Sequence, residues 1–206
     1  MTQTFSDPDL AYLRRMAEAG ERAPLLGGRF SLWWGALASL TLLAHWLIET
    51  QRLAYPYESV GLLWLGFGVI GTIGSAALGL TIKNKPGTGS AGNRVQGAIW
   101  SASVFVIFAF AIGASLTYGL GNAPKIIFNI IPLMAFSVYG INFYTVGVMA
   151  QRPWLYGFSA LSCLCVIAGW VLIASPGFYL LCAAATFSLA VLPGIIHLTQ
   201  ERPTIA

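Results

Sequence analysis

The side chains able to do chemistry in this sequence are few and far apart. Two histidines (His45 and His197), three cysteines (Cys163, Cys165 and Cys182) and seven carboxylates (Asp7, Asp9, Glu18, Glu21, Glu49, Glu58 and Glu201) are its whole stock of imidazole, thiol and carboxylate groups. No carboxylate lies between Glu58 and Glu201. Paired-carboxylate catalysis, a carboxylate proton relay or a hard-cation site therefore has nothing to work with over the central two-thirds of the chain. Two histidines among apolar helices raise bis-histidine haem ligation, but the threading puts them at opposite membrane faces, where they cannot share one iron. One histidine per haem, with methionine or another partner, is the arrangement left open. Interfacial hydrogen bonding is the expected role of each. Cys163 and Cys165 point to different sides of one helix at ~100° per residue. Cys165 and Cys182 are expected roughly 9 Å apart in depth at 1.5 Å rise per residue, which argues against a disulfide. All three read as small apolar fillers. The Gly87-Thr88-Gly89-Ser90 stretch has no following lysine of the phosphate-binding kind and no strand before it, so it does not read as a phosphate loop. No catalytic, cofactor or metal residue is expected, and the chain does not read as an enzyme.

What must hold these groups is a membrane. The 206 residues are 57% hydrophobic and 9% charged, against about a quarter charged in soluble domains. Six uncharged apolar stretches, each long enough to cross ~30 Å of hydrocarbon, lie at residues 30–48, 61–82, 95–118, 126–150, 155–175 and 178–198. Pro176-Gly177 divides the last two, as a strong turn-forming pair. The expected fold is an all-α membrane protein, a six-transmembrane-helix bundle. Residues 1–29 form a segment before it and residues 199–206 a tail after it. Nine of the eleven Lys and Arg residues fall on one side of this threading; Arg52 and Lys125 alone fall on the other. The positive-inside bias then places both termini in the cytoplasm. The net charge of +4 is spread singly or in pairs, which suits anionic lipid and not nucleic acid. Trp33, Trp34, Trp46, Trp64 and Trp154 fall near span ends, as interfacial aromatics do. The polar, partly acidic opening segment is not a cleavable signal, so the first span is expected to stay as an anchor.

Residues 6–20 carry helix signals: Ser6 or Asp7 as N-cap, Pro8 in the first turn and Gly20 as a stop. Leu10, Leu13, Met16 and Ala17 make a short apolar stripe beside Arg14, Arg15 and Glu18. A short amphipathic cytoplasmic helix is expected, resting on headgroups or on the bundle, or docking a partner through Leu10, Leu13, Arg14 and Arg15. Asp9 to Glu18, the stretch Ala23-Pro24-Leu25-Leu26-Gly27-Gly28 and the late Leu192-Pro193-Gly194 together resemble small uncharacterised bacterial inner-membrane proteins with an "APLLGG" stretch before their first span. The resemblance implies a bacterial inner-membrane origin and brings no activity with it.

Two interior features remain. In the second span Gly71, Ser75 and Gly79 recur every four residues, a strip that lets helices approach closely, for packing within the chain or as a seam for a second subunit. The fourth span is the most polar, with Asn142 deep in hydrocarbon. Buried unpaired, its carboxamide would cost several kcal/mol, so it must face a helix or a cavity. Asn142 and Tyr139 mark the candidate polar pocket or interhelical contact, with Pro132 as a kink site. Two functions follow as expectations. The first is a non-catalytic accessory or interaction subunit, with lipids and either a second copy or another membrane protein as partners. The alternative is a small transporter or channel for a neutral or lipophilic solute.

Overall fold

The computed structural model describes residues 11, 24–83, 85 and 87–201. Leu10, Leu13, Arg14 and Arg15 lie outside the described residues. All regular structure among the described residues is helical: α1 (Gly28–Glu49), α2 (Ser59–Ile82), α3 (Ala91–Gly119), a 3-10 turn (Lys125–Asn129) leading into α4 (Ile130–Met149), α5 (Trp154–Val171), α6 (Phe178–Thr186), a π turn (Phe187–Val191) and α7 (Leu192–Gln200). The last three form one continuous sixth span, and all six spans are long and apolar enough to cross a membrane.

The helix ends follow local chemistry more closely than hydropathy. The expected third span begins at Val95, but α3 starts at Ala91, because Ser90 is an extended N-cap whose hydroxyl accepts the Asn93 amide at 3.3 Å. The fifth ends at Val171 rather than Ser175. The residues that follow close the Pro-Gly hairpin, where Ser175 Oγ accepts the Gly177 N–H at 3.2 Å. Pro132 does not kink the fourth span. It sits in the first turn of α4, where its missing N–H has no intrahelical partner to lose. The interruption falls instead in the sixth span. Pro193 withholds the N–H that an α-helical Leu189 carbonyl would accept, and the helix widens to a π turn just ahead of it.

In cross-section, α2 packs on α1, α1 on the whole sixth span, α6 on α5, α5 on α4 and α4 on α3. The core is shared by α1, α4, α5 and the sixth span around Leu42, Phe136, Leu155, Phe178 and Leu189. Burial tracks this order. Over half of the sixth span's most apolar window is buried (56%), against 11% for α3 and 6% for α2.

Two different seams run along α1. Toward the sixth span, backbone meets backbone. A Cβ on Gly35 would lie 2.5 Å from the Ala190 Cβ and 3.0 Å from the Val191 nitrogen, and one on Gly194 would lie 2.8 Å from the Leu32 nitrogen. Ser31 Oγ donates to the Ala190 carbonyl at 2.8 Å, within the π turn. Toward α2, large meets small. The Trp34 ring fills the space over Gly71 and the Trp33 ring that over Gly74, while Trp33 Nε1 donates to the Gly71 carbonyl (3.2 Å) and Trp34 Nε1 to Ser75 Oγ (2.7 Å). The expected strip of Gly71, Ser75 and Gly79 is thus a slot for indoles. Gly79 takes no part in it, with no atom within 4 Å of where its Cβ would stand. Trp33, Trp34 and Trp64 spend their N–H groups inside the protein.

Candidate functional site

The buried histidines and carboxamides gather toward the two ends of the bundle. One end carries Arg29, Lys85, Arg94 and Arg152 and is called the basic end here; the far end carries Glu49, Arg52, Glu58 and Lys125. Because Gly28 abuts His197 and His45 lies further along α1, the two histidines occupy opposite ends, ~25 Å apart along α1 at 1.5 Å rise per residue.

At the far end, the His45 ring is buried and stacked on Tyr179, centroids 3.7 Å apart. Trp64 Nε1 can only donate, and it donates to His45 Nδ1 at 3.3 Å. The imidazole proton therefore sits on Nε2, a buried donor without a protein partner. Tyr179 donates to Asn129 Oδ1 at 2.6 Å, and Asn129 Nδ2 to the Ile173 carbonyl at 2.7 Å. The connecting residues cover this cluster: Lys125 lies 4.4 Å above the Tyr57 ring, and Arg52 lies 4.6 Å from the Trp46 ring. Burial, with the Glu49 carboxylate and Tyr118 adding, raises the Tyr57 phenol above its ordinary value. Sequence reasoning placed His45 near its span end but gave no hint of Tyr179 or Asn129 beside it. Only the antiparallel pairing of α1 with the sixth span brings them together.

At the basic end, the segment before α1 is an inserted strap. Leu25 and Leu26 are each 4% exposed. Asn93 holds the strap at two points, accepting the Leu26 N–H at 2.8 Å and donating to the Pro24 carbonyl at 2.9 Å, and Gln96 Oε1 accepts the Gly27 N–H at 3.2 Å. A Cβ on Gly27 would stand 2.6 Å from the Gln96 carboxamide, which would have to move and give up its bond to the strap. Gly28 then meets Gly194 and His197. Gly28 and Gly194, each part of a stretch that carries the resemblance, are thus in direct contact. Glu201 closes this end, pairing with Arg29 at 3.2 Å and with Lys85, while Arg29 Nη1 donates to Thr81 Oγ1 at 3.1 Å.

Just inside the strap lies a cavity of about 10 Å³ lined by Ser31, Gln96, Trp100, Asn142, Phe143, Val146, Leu155 and His197. Asn142 is 1% exposed, and its Nδ2 donates to Ser103 Oγ at 3.0 Å. Ser103 already donates its own proton to the Ile99 carbonyl at 2.7 Å, so its oxygen can only accept. This fixes the carboxamide with NH2 toward α3, and leaves Oδ1 buried without a protein donor. Tyr139, one turn deeper on α4, packs edge-on against Trp100 at 5.1 Å. Pro132 is ~15 Å away along the helix by its rise and does not belong to the site. His197 is 4% exposed, with Trp154 at 5.0 Å. The site is uncharged and rich in hydrogen-bonding groups. Among the described residues, no three His, Cys, Asp or Glu side chains come together. Cys165 and Cys182 lie in the apolar core, and Cys163 faces outward; all three are free thiols.

Fold and site define a multi-pass helical membrane protein with a neutral polar pocket near one end. Comparison with family models, curated proteins and solved structures finds no match to the chain.

Proposed function

We propose that this chain is a non-catalytic subunit of the bacterial inner membrane, with the basic end and both termini in the cytoplasm, which associates with itself or with a partner membrane complex through α2 and α3. The observation that carries this reading is the contrast within the bundle. α1, α4, α5 and the sixth span build the core, while α2 and α3 each lean on one helix of it and offer large apolar side chains outward, among them Ile73 (65% exposed) and Phe105 (75%). On α2, Gly61, Gly66, Gly68 and Gly79 have open space where a Cβ would stand, which allows another helix to approach closely. The positive-inside bias supports the orientation. The test is cysteine cross-linking in native membranes, with Cys163 replaced by Ala and single cysteines at Ile73 and Phe105. Adducts at either position, together with a complex larger than the monomer after gentle solubilisation, are expected. A monomer that forms no adduct at either position overturns the reading.

A second reading, transport of a small neutral solute, is favoured by one observation, the polar cavity beneath the strap. Solute flux into vesicles that is abolished by Asn142→Leu would select it over the first.

A further inference from the structure

We propose that the cavity between α1, α3, α4 and α7 is a binding site for a single water molecule that bridges Asn142 to the polar side chains facing it. Asn142 Oδ1 is an acceptor with no protein donor, and the hydrogen-bond direction at Ser103 prevents the carboxamide from turning round to satisfy it. Ser31, Gln96 and His197 line the same space from three other spans. Ser31 has given its proton to Ala190 and Gln96 Oε1 has accepted from Gly27. What remains at the cavity is a Ser31 lone pair, the Gln96 amino group and the His197 ring, a mixed set of donors and acceptors.

The ligand must therefore donate and accept in the same few ångströms, and it must be neutral, since no charged side chain lines the cavity to balance an ion. The size decides the rest. About 10 Å³ is the lower limit for one water, which needs two to four polar partners. The lining offers four, and a larger solute would have to displace Trp100 or Phe143. Bridged in this way, the water links the strap-bearing α3 and α1 to α4 and α7 through groups that make no hydrogen bond to one another.

The test is solid-state NMR on the full chain in nanodiscs, with 15N-labelled asparagine and histidine, following magnetisation transfer from water. Asn122, exposed in the α3–α4 connection, is the positive control. Transfer to the Asn142 side-chain amide and the His197 ring is expected at short mixing times, as fast as at Asn122. Transfer at Asn122 with none at Asn142 or His197 overturns the proposal. Asn142→Leu, which keeps the branched shape, removes the acceptor and turns larger methyl groups into the cavity, is expected to reduce transfer at His197 at least several-fold; undiminished transfer there overturns the bridge. If that variant does not fold, the wild-type measurement still decides.

Discussion

The two seams of α1 put small residues to opposite uses. Against the sixth span, Gly28 and Gly35 meet Gly194 and Ala190 so closely that main chain touches main chain. Against α2, Gly71 and Gly74 leave hollows that the Trp34 and Trp33 rings fill from the other side. Lipid tails are as apolar as leucine, so neither seam gains from excluding water; both rest on van der Waals contact and hydrogen bonds. The first seam is rigid because backbone cannot step aside. The second tolerates change because a ring can rotate. A glycine in a membrane helix is thus read by what lies opposite it, not by its spacing along its own strand of sequence.

The comparison can be broken by substitution, with thermal unfolding and monodispersity in detergent as the measurements. Gly35→Leu should have the largest effect, since the added side chain meets the Ala190 and Val191 backbone. Overpacking costs ~1–3 kcal/mol, and more where backbone must move, so loss of monodisperse protein is expected. Tyr179→Phe comes next. It strands the buried Asn129 Oδ1 and should cost about 1–3 kcal/mol, seen as a lower melting temperature with the fold kept. Trp34→Phe should cost about 1–2 kcal/mol, because it loses the bond to Ser75 and the outer indole ring atoms that fill the slot over Gly71. Gly79→Ala should change nothing beyond ~0.5 kcal/mol, as expected for a site away from any packing feature. A Gly79→Ala effect as large as that of Gly35→Leu would mean that the open face of α2 is a packed seam, and the distinction drawn here would fall.

Much of this was readable beforehand. The six spans, their helical character and the seclusion of Asn142 from lipid follow from hydropathy and from what an unpaired carboxamide costs in hydrocarbon. The same sequence misdirected two readings. Gly71, Ser75 and Gly79 match a helix-contact spacing, yet Gly71 and Ser75 pack within the chain against tryptophan side chains and Gly79 meets nothing, because spacing within one helix carries no information about its neighbour. Pro132 reads as a kink because it sits inside an apolar run; the helix begins only at Ile130, and the widened turn lies ahead of Pro193 instead. Gly28 and Gly194 stand in two short stretches 166 residues apart, and nothing local says that they touch.

Composition alone determined that this chain belongs in lipid, because so few charges cannot cover a soluble surface and each apolar stretch can satisfy its own peptide groups only as a helix. It also determined that the interior carries no fixed charge, since no Asp, Glu, Lys or Arg lies within the six apolar runs. Which helices share an interior, which glycines meet backbone and which meet indole, and that Ser31, Gln96, Asn142 and His197 surround one small space were decided by tertiary structure. Those facts depend on how four separate helices are rotated and paired, and a helix's own residues specify its periodicity but not the face that its neighbours will take.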